Sequence, residues 1–253
     1  MKKQRVDISR RDFLIGSVTA GAGFSLGLYL PADTGVALAA GEVNAAENTE
    51  VNAWVVIQQD DTVTIRIARS EMGQGTLTGL AQLVAEELEC DWSKVKTEYP
   101  TPGQSLARDR VWGSFSTGGS QGIRGSHQYV RKGGAVAREM LIEAAADSWG
   151  VVKEECSVSS SVISHKPTGR TTTYGKVASA AAEMIPPLEV ELKDPKEWKL
   201  IVKPVKRLDT ADKLTGKQVF GADLQLPDML NASIKACPVF GGKLASFDAS
   251  KVS

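Results

Sequence analysis

The segment at 70–75, Ser-Glu-Met-Gly-Gln-Gly, carries the residues with the clearest potential for binding chemistry. Gly73 and Gly75 have no Cβ, so a ligand can approach the backbone closely at both positions. Gln74 lies between them and offers an amide that both donates and accepts hydrogen bonds. Glycines at such a turn can instead be needed only for a positive φ or for close packing. The spacing alone leaves open whether the turn binds a ligand or is only structural.

The elements around this segment predict where its backbone N–H groups lie. Apolar residues alternate in the run 62–68, as in a half-buried strand, and recur at helical spacing in 76–89. The polar residues of that helix, among them Glu86 and Glu87, fall mostly on the other side. A strand, a glycine-flanked turn and a helix N-terminus together predict outward N–H groups that can bind an anion. The segment is neither a Walker loop nor a complete G-x-G-x-x-G fingerprint.

A second segment at 113–126 is dense in hydroxyl side chains and glycines and precedes a long predicted helix at 128–149. Serine and threonine beside a helix start can simply cap it, and capping accounts for one or two of these hydroxyls. The remaining ones favour a second turn that binds an anion or another polar ligand.

The composition excludes several classes of protein. The formal net charge of the 253 residues is zero, which predicts no nucleic-acid partner. Cys90, Cys156 and Cys237 are an odd number without CxxC spacing, so they indicate neither a disulfide framework nor a metal site. His127 and His165 form no metal-binding constellation with their sequence neighbours, so no metal ligand is predicted among the side chains.

The first 39 residues read as an export signal. Basic residues precede an apolar, glycine-interrupted run, and the small residues at 37–39 favour cleavage. The segment 9–14, Ser-Arg-Arg-Asp-Phe-Leu, is similar to the twin-arginine consensus and predicts export to the periplasm by that route. An ordinary secretory signal with two arginines is the alternative. Because the twin-arginine route carries folded proteins, it is indirect evidence for a cofactor inserted before export.

The remaining chain divides into predicted segments. A flexible leader is expected at 40–51, a first domain at 52–185, a linker at 186–197 and a β-rich second domain at 198–253. The first domain is predicted to hold a hairpin turning at 59–61, a strand at 95–99, a Pro/Gly loop at 100–104, a strand pair around 159–161 and a helix at 175–183 capped by the preceding threonines. The second is predicted to contain short strands at 219–223 and 230–236.

Together these segments resemble the large, molybdenum-binding subunit of the xanthine oxidase family. The closest group is the isoquinoline 1-oxidoreductase and aldehyde dehydrogenase β subunits. The features that carry the resemblance are the leader, the segment 70–75, Ser-Thr-Gly-Gly-Ser at 116–120, and the segments 206–209 and 226–230. The resemblance covers 5–253 and implies the N-terminal portion of such a subunit. It implies an α+β fold: a partial molybdopterin-binding domain with a mixed sheet and packed helices, followed by the start of an α/β hammerhead domain.

The resemblance also implies a cofactor, molybdopterin cytosine dinucleotide with molybdenum, whose dithiolene rather than the protein ligates the metal. Gln74 would lie nearest the metal. The turn residues implied to contact the pterin are Met72, Gly73, Gln74 and Gly75. The residues implied to hold the phosphate and nucleotide part are Ser116, Thr117, Gly119 and Ser120.

The reaction implied by the resemblance is hydroxylation of N-heterocycles or oxidation of aldehydes, with water as the oxygen source. Electrons would pass to a small iron–sulfur subunit and on to an acceptor such as a cytochrome c. The catalytic base, a glutamate near the C-terminus of the full-length subunit, is expected beyond the end of this chain, and Glu71 does not replace it. We therefore expect the chain to need the missing C-terminal part and to be inactive alone. The alternative is a non-catalytic exported fragment, or a binding or assembly remnant.

Overall fold

The computed structural model of the protein describes residues 48–248 and 250. The predicted signal peptide at 1–39 and most of the predicted leader at 40–51 lie outside these residues. The chain forms two compact units, of which the first ends at Ala211 and the second begins with the following residue. The predicted linker at 186–197 falls inside the first unit.

The first unit is built on a four-stranded mixed sheet in the order β1-β2-β3-β4. Its strands are β1 (Asn48–Asn52), β2 (Val55–Gln58), β3 (Val63–Arg66) and β4 (Val95–Glu98). β2 and β3 pair antiparallel, which confirms the predicted hairpin. β3 and β4 are parallel and are joined through helix α1 (Thr76–Leu88), so the expected α+β class with a mixed sheet and packed helices is confirmed.

Five further helices and a second sheet complete the described chain. The helices are α2 (Pro102–Ala107), α3 (Gln121–Arg124), α4 (His127–Trp149), α5 (Tyr174–Ala182) and α6 (Thr210–Leu214). The second sheet is antiparallel, with strands β5 (Cys156–Ser159), β6 (Val162–His165) and β7 (Arg170–Thr173). Short 3₁₀ turns lie at Trp92–Lys94, Lys153–Glu155, Pro195–Glu197 and Gly221–Asp223. Among the described residues, no helix is both long enough and apolar enough to cross a membrane.

The core lies between the first sheet and the helices α1 and α4. Ile57 and Ile65 of the sheet are fully buried, and so is Leu141 of α4. The two helices approach closely because α4 carries adjacent glycines. A Cβ at Gly134 would overlap the carbonyl oxygen of Val84 in α1. The glycines cost some helix propensity, but they let the two backbones pack.

Gly134→Ala is expected to lower the free energy of unfolding by about 1–3 kcal/mol, because the added methyl forces α1 and α4 apart. Denaturant unfolding measures this difference. The control is Gly118→Ala, since a Cβ at Gly118 has no atom within 4 Å. That variant should stay within about 0.5 kcal/mol of the wild type. Equal stability of the two variants would contradict the close crossing.

Glu86 and Glu87 are buried, with 2% and 0% of their surface exposed, although they lie opposite the apolar stripe of α1. The segment 193–201 covers this face of the helix. Glu86 accepts the backbone N–H of Lys199 at 3.0 Å, and Glu87 pairs with the Nε of Arg131 at 2.7 Å. Both carboxylates are therefore satisfied inside the protein by partners far away in the sequence, which helical periodicity cannot indicate.

Three local predictions need correction. The expected Pro/Gly loop leads into α2, because Thr101 and Gln104 form a capping box: the Thr101 hydroxyl accepts the N–H of Gln104 at 3.1 Å, and the Gln104 side chain accepts the N–H of Thr101 at 2.7 Å. α5 is not capped by the preceding threonines, since Asp61 accepts the N–H of Gly175 at 2.7 Å instead. Residues 48–51, predicted as the end of the leader, form an ordered strand because they pair with β2.

The second unit differs from its prediction. Its described residues, 212–248 and 250, contain no β-strand, so the short strands expected at 219–223 and 230–236 are not formed. A strand needs a neighbour for its backbone hydrogen bonds, and this described part of the unit holds no such neighbour. Large apolar side chains such as Ile234, 94% exposed, lie open to solvent.

Candidate functional site

The glycine turn lies at the carboxyl edge of the parallel strands β3 and β4, which end together with Arg66 opposite Glu98. α1 begins directly after Gly75, whose φ is 85°, and Gly73 has a φ of 101°. Residues with a Cβ rarely adopt such angles, so the turn requires glycine at both positions. The predicted strand, turn and helix are confirmed. The carboxyl ends of parallel strands are also where open α/β sheets bind their ligands.

Glu71 fills the start of α1 with its own carboxylate. Its Oε1 accepts the N–H groups of Gly73 at 2.7 Å and Gly75 at 3.0 Å, and its Oε2 accepts that of Leu77 at 3.1 Å. A helix start leaves such N–H groups unpaired, and the sequence predicted that they would be open to a ligand anion. That prediction is wrong for these three groups, because an acidic side chain of the turn itself supplies the anion.

Arg207 holds Glu71 in this position. Its Nη2 lies 2.9 Å from Oε1 of Glu71, and its Nη1 donates to the carbonyl oxygen of Gly73 at 2.9 Å. The same guanidinium binds both carboxylate oxygens of buried Asp209, at 2.9 and 2.8 Å. Burial raises the pKa of Glu71, but the three backbone donors and the charge of Arg207 outweigh it and hold the pKa below its ordinary value. Glu71 is therefore a carboxylate at neutral pH.

Gln74 is exposed, and the turn uses only part of its amide. The side-chain oxygen accepts the N–H of Met72 at 2.5 Å, and the side-chain nitrogen donates to the carbonyl oxygen of Ser70 at 2.9 Å. A primary amide has a second N–H and a second lone pair. Gln74 can therefore hydrogen-bond a ligand without leaving the turn, and the side chain of Met72 beside it is 67% exposed.

The second predicted turn is fixed against the first by the residues that follow β3. Buried Arg69 donates to the hydroxyl of Ser126 at 3.0 Å and to the carbonyl oxygen of Ser116. The N–H of Ser70 donates to the hydroxyl of Thr117 at 2.9 Å. The two segments, which the sequence singled out separately, are therefore held together by hydrogen bonds.

The tip of this second turn carries unpaired backbone donors. Gly119 and Ser120 both have a φ of 56°, and the N–H of Gln121 donates to the carbonyl oxygen of Gly118 at 3.0 Å, as in a type I′ turn. Within the part of the chain that the structure describes, the N–H groups of Gly118, Gly119 and Ser120 have no hydrogen-bond partner. Adjacent free N–H groups attract anions, so this turn offers a run of three open donors, whereas Glu71 already occupies three N–H groups of the glycine turn and helix start.

Both turns line one open cleft of about 420 Å³. Five of the eight predicted site residues line it: Met72, Gln74, Thr117, Gly119 and Ser120. The other three, Gly73, Gly75 and Ser116, shape the turns and do not line it. Among the described residues, those that line the cleft include no ionisable side chain, and they offer hydrogen bonds only.

One wall of the cleft is α3, which the sequence did not predict. A Cβ at Gly122 would lie 3.0 Å from the Thr76 hydroxyl, and Ile123 would lie equally close to a Cβ at Gly79, so α3 packs tightly on the start of α1. The glycines of this segment were the only available signal. Arg207 was also missed as a site residue, because it lies 134 residues from Gly73 and meets the turn only through tertiary contact.

Comparison with known proteins identifies the family. The model of the molybdopterin cofactor-binding domain matches residues 15–221 of this chain. The chain therefore belongs to the molybdopterin cofactor-binding domain family, which confirms the resemblance seen in the sequence.

The curated relatives are oxidoreductases by name. The membrane-bound aldehyde dehydrogenase [pyrroloquinoline-quinone] of Gluconacetobacter polyoxogenes is 30% identical over 98% of this chain and 32% of its own length. The isoquinoline 1-oxidoreductase subunit beta of Brevundimonas diminuta is 29% identical over 94% of this chain and 34% of its own. The chain thus spans about a third of the length of these relatives. Among solved structures, quinoline 2-oxidoreductase from Pseudomonas putida 86 is 18% identical, with a TM-score of 0.34 over 50% of this chain and 15% of that chain.

Proposed function

We propose that this chain is the cofactor-contacting part of a molybdenum-dependent oxidoreductase that hydroxylates N-heterocycles or oxidises aldehydes with oxygen from water. The observation that carries the proposal is the cleft at the carboxyl edge of β3 and β4, where Gln74 and the 117–120 turn meet. Family membership and the names of the relatives support the reaction class.

The residues of the cleft fit a polar, anionic cofactor. The free N–H groups at Gly118, Gly119 and Ser120 suit a phosphate, and the spare N–H and lone pair of Gln74 suit the pterin end. Thr117 lines the cleft with its hydroxyl already engaged by Ser70, so it shapes the wall. When bound, molybdopterin supplies the metal centre for oxygen and electron transfer. The cytosine dinucleotide form is part of the proposal.

The catalytic base and the electron carriers are proposed to lie outside this chain. The cleft has hydrogen-bond donors and acceptors but no ionisable lining residue, so proton transfer needs a group from elsewhere. We place that group in the further part of the same subunit, whose relatives are about three times longer than this chain. A small iron–sulfur subunit, with a cytochrome c as acceptor, would carry the electrons away.

The exposed apolar side chains of the second unit support such an assembly. Phe240 and Leu230 are fully or almost fully exposed in an unpartnered segment, and burying them against further protein would be favourable. The twin-arginine-like segment at 9–14 supports assembly with cofactor before export to the periplasm. A hammerhead domain beginning at 198 belongs to the same proposal.

A second candidate function is a non-catalytic exported protein that binds or helps to assemble the cofactor. The observation that favours it is again the absence of an ionisable side chain among the residues that line the cleft. Such a protein would hold the cofactor and would not turn over substrate in any complex, whereas the first candidate becomes active with its missing partners.

The proposed function is tested by analysing the purified protein for molybdenum, acid-released cytidine nucleotide and quinone. The quinone assay is needed because the name of the Gluconacetobacter polyoxogenes relative carries pyrroloquinoline-quinone. Molybdenum and cytidine near one per chain support the proposal. Quinone without molybdenum, or no cofactor in the complete complex, would overturn it.

Gly118→Trp is expected to reduce the molybdenum and cytidine content by about tenfold or more, because an indole in the cleft removes contacts worth over about 1.4 kcal/mol. Gly118 lines the cleft, has open space around its Cα, and has no positive φ. The matched control is Gly103→Trp on exposed α2, which should leave the cofactor content unchanged. Equal content in both variants would show that the cofactor binds elsewhere.

A further inference from the structure

The start of α1 already contains an anion that belongs to the chain. The Glu71 carboxylate takes three N–H groups of the glycine turn and the helix start, and Arg207 neutralises its charge. A free phosphate at the same place would have to displace this carboxylate or lie beside it. A run of three adjacent free N–H donors lies instead at 118–120, on the opposite turn.

Arg207 makes the arrangement rigid from a distant part of the chain. Its guanidinium group is fixed by hydrogen bonds to buried Asp209. The next residue, Leu208, donates its N–H to the Thr78 hydroxyl in α1 at 3.0 Å. The hydrogen bond from Arg207 to the Gly73 carbonyl oxygen directly fixes the orientation of one peptide group of the turn. The Glu71 carboxylate binds N–H groups of the same turn. Glu71 and Arg207 together therefore fix the backbone that carries Gln74.

We propose that Glu71 and Arg207 are positioning residues which decide how a ligand lies in the cleft: they hold Gln74 in place and direct the anionic group of the ligand to 118–120. The Glu71 carboxylate already accepts the N–H groups of Gly73, Gly75 and Leu77, so a second anion would have to displace it to bind these three donors. The pairing of Glu71 and Arg207 is internal to the chain. Only the identity of the ligand rests on the proposed function.

Titration with inorganic pyrophosphate, followed through backbone amide NMR signals, tests this inference without any cofactor. In the wild type, pyrophosphate should shift the amide signals of Gly118, Gly119 and Ser120 and leave those of Gly75 and Leu77 in place. In Glu71→Ala, the signals of Gly75 and Leu77 should also shift, with binding there about tenfold or more tighter than in the wild type, because the helix start is then open.

Two further variants serve as controls for this titration. Glu71→Gln keeps the shape and one acceptor oxygen, so it remains folded if the alanine variant does not, and it should show the same change to a smaller degree. Glu189→Ala removes an exposed glutamate away from the cleft and should behave as the wild type. Pyrophosphate shifts at Gly75 and Leu77 in the wild type would overturn the inference. Absence of shifts at 118–120 would count against the proposed function, while the response at Gly75 and Leu77 in Glu71→Ala still tests Glu71.

Acid provides an independent test, because protonation removes the same charge. Burial raises the pKa of Glu71, yet its backbone donors and Arg207 bring it below the ordinary value of 4.5. A carboxyl with a lowered pKa stabilises the fold above its unfolded pKa and loses that contribution as the pH falls through its folded pKa. The protection factors of the Gly75 and Leu77 amides, which correct for the intrinsic pH dependence of exchange, should therefore fall in the wild type as the pH drops below this ordinary value.

The charged and titratable groups that face Glu71 are Arg207, Asp209 through that arginine, and Tyr99, whose hydroxyl accepts the N–H of Glu71 at 3.2 Å. Asp209 is a second carboxylate on the same arginine, so Glu71→Gln is the necessary comparison: its protection factor at Leu77 should not change over this pH range. The amide of Gly79, one turn further into α1, should stay protected in both proteins. Identical pH profiles for the two proteins would contradict the role of Glu71.

Discussion

Gln74→Ala is expected to lower turnover of the complete, cofactor-loaded protein by about a hundredfold to a thousandfold, the usual effect of removing one aligned donor at a reacting centre. Gln74 is an exposed amide of the cleft with a spare N–H and a spare lone pair. Stability should change little, within about 1 kcal/mol, because the groups it bonds in the turn are solvent-accessible and water can replace it.

The experiment needs turnover, cofactor content and unfolding to be measured on the same preparation. Gln128→Ala, an exposed glutamine on α4, is the matched control and should keep full turnover. A Gln74→Ala protein with normal cofactor content and normal turnover would remove Gln74 from the site. Loss of cofactor with turnover lost in proportion would instead assign Gln74 to binding alone.

Glu87→Ala is expected to cause the largest loss of stability, about 3–5 kcal/mol, because it leaves a buried arginine without its counter-charge. Glu87 is 0% exposed and accepts the Nε of Arg131 at 2.7 Å and the backbone N–H of Lys193 at 3.1 Å. The same substitution also removes the hydrogen bond that the N–H of Lys193 in the covering segment donates to Glu87. In a domain of this size, the expected fall in Tm is roughly 10 °C or more.

Glu143→Ala is the control for this prediction. Its side chain is 52% exposed and pairs with Lys153 at 3.9 Å on the surface, so its removal should cost less than about 0.5 kcal/mol. Replacing Glu87 and Arg131 together by methionine should cost less than Glu87→Ala alone, since no unpaired charge is then buried. A Glu87→Ala protein as stable as Glu143→Ala would contradict the burial of this ion pair.

Local patterns in the sequence predicted the parts of the fold that depend on local interactions. The hairpin of β2 and β3, the helix α1 and the long helix α4 follow from apolar spacing and turn residues within each segment. The burial of Glu86 and Glu87 could not be predicted in this way, because the segment that covers them lies more than 100 residues further along the chain. The strands expected in the second unit also failed, because pairing requires a neighbour and residue type alone does not supply one.

The candidate site shows the same limit. The two turns were found from their glycines and hydroxyls, and the structure places both on one cleft. Their roles were only partly predictable: Glu71 takes three N–H groups at the helix start that had been expected to receive a ligand, and a run of three free donors lies at 118–120. A glutamate just before a helix start is a visible capping signal, whereas the part played by Arg207 depends entirely on tertiary contact.

The most direct test of the central claim is an anomalous difference map from crystals of the loaded protein, with data collected on both sides of the molybdenum absorption edge. The account predicts one peak inside the cleft beside Gln74, with nucleotide density continuing along the 117–120 turn. A molybdenum peak outside this cleft, or nucleotide density at the start of α1 in place of the Glu71 carboxylate, would contradict it.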